Sequence, residues 1–180
     1  MKLERSNIIC QLLHIAKIHF RLEDCDKVIF LDFDGVLATE EYTDGLLKTG
    51  QKTNDKFGTL FNPDCIAQLN RLICLTNAKI VITSSWKNYL SLWDILRMWK
   101  YRKMSGQVIG VTPSVSIYRG EEINKWLCQH RGITNYVIID DMDYRQFRKE
   151  QHSHLVTTDH FSGLNKCSAQ EAVRILGITC

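Results

Sequence analysis

Three segments of this chain, VIFLDF (28–33), KIVITSS (79–85) and YVIID (136–140), contain runs that are apolar at consecutive positions rather than at alternate ones. A strand with one face in water alternates apolar and polar residues; a strand apolar throughout has both faces covered. Helical patterns separate these runs, so the chain must build a parallel sheet with helices on both faces, a three-layer Rossmann-like α/β fold. In such sheets ligands bind beyond the carboxyl ends of the strands. All three runs end on polar residues there: Asp32 and Asp34, then Thr83-Ser84-Ser85, then Asp140-Asp141.

The elements can be placed in order. An N-terminal segment, residues 1–26, carries Ile8, Ile9, Leu12, Leu13, Ala16 and Phe20 at helical spacing and is expected to be an amphipathic helix packed on a domain of residues 27–180. The polar tract 38–59 shows no helical period and reads as a loop or short hairpin. Asn62 and Pro63 then cap and open a helix through Thr76. Residues 86–106 read as one amphipathic helix closing at Gly106. The stretch 107–118 is irregular with room for a short strand, and 119–132 is a helix with acids in its first turn and Gly132 at its end. HLVTT (154–158) is a last strand, and Ser168 with Glu171 predicts a capping box for the final helix.

Composition excludes several classes. The net charge of +3 accommodates a phosphorylated or nucleic-acid substrate without arguing strongly for one. Seven cysteines stand singly, with no C-x-x-C pair, which fits a reducing compartment rather than a disulfide framework. Gln11, His14, Lys17 and His19 interrupt the N-terminal apolar run, and no small-residue cleavage site follows. No stretch approaches the roughly 20 apolar residues of a membrane span. The expectation is a cytoplasmic protein without a membrane partner. Its oligomeric state is not encoded in these patterns.

Four carboxylates on one rim repel one another and raise each other's pKa unless a cation lies among them. Oxygen ligands without His or Cys suit Mg²⁺ over Zn²⁺, and Mg²⁺ commonly bridges carboxylates to phosphate. A carboxylate beside a phosphoryl group can attack it to form an aspartyl-phosphate. A second, two residues on, can protonate the leaving oxygen and then activate water. Thr83 or Ser84 can hydrogen-bond a phosphoryl oxygen, and an Arg or Lys can balance charge.

LDFDGVL, the hydroxyls of VITSS, a basic residue before a helix, and IIDD resemble, in order and strand placement, the four motifs of the haloacid dehalogenase-like phosphohydrolases. FLDFDGVL, SSW, TP, RGEEI and VIIDD together are similar to the phosphatase-type domains of Swiss-Army-knife RNA repair proteins. The resemblance implies Asp32 as nucleophile and metal ligand, and Asp34 as general acid/base with its carbonyl on the metal. It implies Ser84 or Thr83 in the hydroxyl role and Arg119, or alternatively Lys125, as the balancing cation. It implies Asp141 as a metal ligand supported by Asp140. An acid at position 34 fits phosphate esters better than carbon–halogen bonds.

Small-metabolite members usually insert a cap domain. Here the gap from Leu37 to Asn62 is too short and polar to bury a core of its own, and the gap after SSW is mostly helix. An open site suits a large substrate such as a nucleic-acid end or a phosphoprotein, and a partner could supply a lid. The expected activity is a Mg²⁺-dependent phosphomonoesterase, possible roles being a nucleic-acid end phosphatase or a general nucleotide or phosphoprotein phosphatase. The rival is a non-catalytic module binding a phosphorylated end or a partner. Trp86, Trp93, Trp99 and Trp126 have the helical spacing of packing residues, although stacking on bases is an alternative. The KYRK run (100–103) reads equally as a phosphate contact or a solvated helix end, and His152-x-His154 lacks a third ligand.

Overall fold

The computed structural model describes residues 27–133 and 135–177, so the helix expected within residues 1–26 lies outside the described residues. Five parallel strands form the main sheet: β1 (Lys27–Leu31), β4 (Lys79–Ile82), β5 (Val108–Val111), β6 (Asn135–Asp140) and β7 (Leu155–Thr157), in the order β5-β4-β1-β6-β7. β1 lies at the centre, with Ile29 opposite Ile80 and Val137, and Leu31 opposite Ile82 and Ile139. Since both faces of β1 are covered, Val28 through Leu31 are wholly buried, which is why the run is apolar without alternation.

Among the described residues five helices flank the sheet: α1 (Glu40–Lys48), α2 (Pro63–Thr76), α3 (Leu92–Tyr101), α4 (Arg119–Gln129) and α5 (Lys166–Ile175). Alternate strand residues divide the core in two. Ile29, Leu31, Ile80 and Val137 face α2, α3 and α5, while Val28, Phe30, Val81 and Ile138 face Ile123 and Trp126 of α4. Two fully buried leucines of α2, Leu69 and Leu72, each contribute about 1.5–3 kcal/mol by burial. Helix α2 starts where the sequence demands: the Asn62 side chain accepts from Asp64 N at 2.9 Å, and Pro63 takes the first helical position.

Several local expectations differ from the structure. The tract 38–59 holds α1 as well as a hairpin of β2 (Asn54–Asp55) and β3 (Gly58–Thr59). Thr39 caps α1, and Glu40, Glu41 and Lys48 suit its dipole, but it buries a single residue, Leu46, so no apolar period betrays it. The helix expected over 86–106 is two pieces, a single 3₁₀ turn (Ser85–Asn88) and α3. Ser91 restarts the chain as a cap, boxed with Asp94. The last capping box joins Asn165 to Ser168, not Ser168 to Glu171, because α5 begins at Lys166. In addition, α4 stops at Gln129, short of Gly132.

No cap domain stands over the sheet among the described residues: α1 and the two-residue strands fill the first gap, and the 3₁₀ turn and α3 the second. No described helix is long and apolar enough to cross a membrane. Cys65, Cys74, Cys128 and Cys167 are free thiols.

Candidate active site

The rim formed by the carboxyl ends of β1, β4 and β6 gathers the polar residues. β1 ends at Leu31, two residues before the Phe33 end that the sequence pattern implies, so Asp32 follows the strand and Asp34 lies in a tight loop rather than on a strand face. Asp32 N still bonds to Ile139 O at 3.1 Å, which keeps the acid beside β6. Phe33 turns into the core against Phe61 and Trp86. The loop is pinned by Ala38 N to Phe33 O (2.8 Å), Leu164 N to Val36 O (2.9 Å) and Thr158 Oγ1 to Gly35 O (2.8 Å). Gly35 has φ +65°, and a Cβ there would fall on the Asp141 carboxylate and the His160 ring. Only glycine meets both constraints at little cost.

One oxygen each from Asp32, Asp140 and Asp141 lie within 4.8 Å of one another. Arg119, the first residue of α4 and 6 % exposed, reaches into this group. Its Nη2 donates to Asp32 Oδ2 at 3.0 Å, its Nε lies 3.4 Å from Asp140 Oδ2, and its Nη1 donates to Thr83 O. Asp32 also accepts from Phe33 N at 2.7 Å and from the Ser84 hydroxyl. Asp140 Oδ1 accepts from Met142 N at 3.0 Å, whereas its Oδ2 is buried with no hydrogen bond. Asp141 is bonded to His160 Nδ1, and His160 Nε2 lies 3.4 Å from Glu40. Asp34 Oδ2 accepts from Trp86 Nε1 at 3.0 Å.

Electrostatics follow from this crowding. Burial, ahead of the opposing Arg119 charge, holds the Asp32 carboxyl above its ordinary value. Burial and the neighbouring Asp32 charge push Asp140 up to about 7. Burial also raises Asp34, against the indole hydrogen bond. His160 is raised by its hydrogen bond to Asp141. Among the described residues four carboxylates thus face one guanidinium and one imidazole, an arrangement short of positive charge.

The structure brings together Asp32, Asp34, Ser84, Arg119, Asp140 and Asp141 on this rim. Thr83 and Ser84 are separated by their orientation. Ser84 addresses Asp32, while the Thr83 hydroxyl is fully buried without a hydrogen bond and its carbonyl accepts from Arg119 and Lys87. Lys125, a turn and a half into α4, is exposed and forms no ion pair among the described residues. Lys87, Glu122, His160 and Trp86 stand at or beside the site without having been singled out for it from the sequence. Lys87 Nζ donates to Thr83 O at 3.0 Å and to Glu122 at 2.7 Å, both side chains nearly buried. Trp86, Trp99 and Trp126 are core residues, as their spacing predicts. In the KYRK run Arg102 turns inward onto Asp55, and His152 and His154 bond to backbone carbonyls rather than to a common centre.

Hard oxygen donors, a buried carboxylate oxygen without a hydrogen bond and a deficit of positive charge among the described residues fit a divalent cation held by Asp32, Asp140 and Asp141. The model of one protein family, described as the HAD domain in Swiss Army Knife RNA repair proteins, matches residues 28–169. No curated protein and no solved structure matches the chain.

Proposed function

The chain belongs to the family of haloacid dehalogenase-like domains found in Swiss Army Knife RNA repair proteins, and on that premise we propose that it is a Mg²⁺-dependent phosphomonoesterase working through a phosphorylated Asp32. The observation that carries this reading is the triad of Asp32, Asp140 and Asp141 oxygens within 4.8 Å, crossed by Arg119. Mg²⁺ bound by these residues would supply positive charge for the carboxylates and for the phosphoryl oxygens.

The residues divide the work. Arg119, Ser84 and the Phe33 N–H hold the Asp32 carboxylate in one orientation, so that an oxygen is presented to phosphorus. That oxygen attacks, the bond from phosphorus to the leaving oxygen breaks, and Asp34 gives its proton to the departing oxygen. Asp34, now ionised, takes a proton from water; the water oxygen attacks phosphorus, and the bond to Asp32 breaks, freeing phosphate and restoring both acids. Arg119 and Ser84 donate to the phosphoryl oxygens as charge builds on them. Asp34 is raised by burial, which favours the protonated form that the first step requires.

We favour a nucleic-acid end as substrate. No cap stands over the site among the described residues, the family is named for RNA repair, and exposed aromatic rings stand in the connections beyond the strand ends: Tyr89 after β4, Tyr118 after β5, Tyr144 after β6 and Phe161 after β7. Such rings stack bases without regard to sequence. Tyr89 lies close enough to the acids that, after burial, the Asp34 and Asp32 charges raise its phenol.

The test is hydrolysis of an aryl phosphate with and without Mg²⁺, wild type beside Asp32→Asn. Mg²⁺-dependent turnover abolished in the variant supports the reading. Binding of a phosphorylated single-stranded end by a wild-type protein that turns over neither this end nor the aryl ester would mark a binding module instead.

A further inference from the structure

Trp86 belongs by spacing to the core, yet its indole N–H points out of the core to Asp34 Oδ2 at 3.0 Å. We infer that Trp86 is a positioning residue for proton transfer to the leaving oxygen, and that the β2–β3 hairpin, through Arg102, keeps it in place. This rests on the proposed role of Asp34 as acid and base.

The geometry has three parts. First, Asp32 is held from several sides, by Arg119, Ser84 and the Phe33 amide, whereas Asp34 sits half-buried in the loop with the indole as its hydrogen-bonded partner. An indole N–H can only donate, so it occupies Oδ2 and leaves Oδ1 to carry the proton exchanged with substrate. Secondly, the indole cannot swing. It is 4 % exposed, with the Phe33 ring edge-on at 5.4 Å and the Phe61 ring at 5.8 Å. Thirdly, the hairpin closes the far side. Gly58 lies so near that a Cβ there would come within 3.0 Å of Trp86 Cη2. Arg102 ties the hairpin down, with Nε and Nη2 on the Asp55 carboxylate at 3.0 and 2.9 Å and Nη2 on Gly58 O at 3.2 Å. The Arg102 guanidinium lies 4.2 Å over the Phe61 ring and 5.7 Å from that of Trp86. A chain of contacts thus runs from Asp55 through Arg102 and the two rings to the Asp34 carboxylate.

A proton donor held in line matters in proportion to how badly the leaving oxygen needs the proton. An aryl oxide leaves without help; an alkoxide does not. Loosening Asp34 therefore penalises alkyl esters and spares aryl ones, a selectivity that general damage to the fold does not produce.

The test is kcat/KM, which covers the steps through departure of the leaving group, for Trp86→Phe on an aryl and an alkyl phosphate. Phenylalanine keeps an aromatic ring and removes the donor. A misplacement of this size is expected to cost on the order of 10–100-fold with the alkyl ester, and the aryl value should move less than about threefold, since little proton transfer is needed there. Arg102→Met, which frees the hairpin and leaves Trp86 itself intact, should give the same split in weaker form, and it carries the test should Trp86→Phe fail to fold. Equal losses on both esters would overturn the inference, because Trp86 would then act through packing alone. A wild-type protein that cleaves the aryl but not the alkyl ester, with Trp86→Phe indistinguishable from it, would overturn the inference while sparing the proposed function. A wild-type protein inert toward both would overturn the two together.

Discussion

Asp140 offers a quantitative check on the electrostatics. Its carboxyl is wholly buried, and burial together with the Asp32 charge raises it from 3.8 to about 7. Because the folded value lies above the unfolded one, the native state between roughly pH 4 and 7 retains a proton that the unfolded chain has lost, and stability falls as pH rises through that window. A difference of about three pKa units, at about 1.4 kcal/mol each, sets a ceiling of about 4 kcal/mol on the cost of ionising Asp140 above pH 7 without metal. Asp140→Asn keeps an acceptor for Met142 N and carries no charge, although it gives up the contact with Arg119 at 3.4 Å. In chelator at pH 8 the variant should therefore be more stable than wild type by about 2–4 kcal/mol, or about 4–16 °C in Tm for a chain of this size. At pH 4 the two should agree within about 1 kcal/mol. Thermal melts of both proteins across this range give the difference directly. Adding Mg²⁺ at pH 8 should stabilise wild type alone, by about 2.7 kcal/mol at a hundred times its Kd. A variant no more stable than wild type at pH 8 in chelator would refute the argument.

Other perturbations probe separate parts of the account. Lys87→Met leaves the buried Glu122 carboxylate without its cation and should cost about 3–5 kcal/mol in urea unfolding, whereas adding Glu122→Leu should recover most of the loss; additive losses would contradict the pairing. Gly35→Ala combines an unfavourable φ of +65° with a methyl group on the Asp141 carboxylate, and calorimetric Mg²⁺ affinity should fall about 10–100-fold. Tyr89→Ala should weaken binding of a single-stranded phosphorylated end by about 1–3 kcal/mol, with hydrolysis of a small aryl phosphate little changed, if the ring stacks a base. Equal effects on both substrates would place Tyr89 outside base recognition.

What could be read beforehand follows from the range over which each signal acts. The central strands announce themselves because burial on both faces forces unbroken apolar runs, and their polar ends then mark the rim that carries Asp32, Ser84 and Asp140. The cap at Asn62-Pro63 is local and equally plain. Helix α1 was hidden because it lies on the surface with Leu46 as its single buried residue, so the hydrophobic pattern is silent about it. The break before α3 was hidden for the opposite reason: the amphipathic spacing continues across it, and only the Ser91–Asp94 box, a two-residue signal, marks the new start. Choosing Ser84 over Thr83 requires knowing where β4 stops, and a one-residue shift exchanges which hydroxyl faces Asp32. Lys87 with Glu122, and Trp86 with Asp34, join positions 35 and 52 residues apart, and nothing in the residues themselves foretells which partners meet.

The claim on which the rest depends is that phosphate passes through Asp32. The direct measurement is to mix the protein and Mg²⁺ with a radiolabelled phosphate monoester, quench with acid during turnover, and map the label on peptides. The account predicts label on the peptide containing Asp32, an acid-stable and base-labile adduct, and none in Asp32→Asn. Turnover without labelled protein, or label that persists in Asp32→Asn, would contradict it.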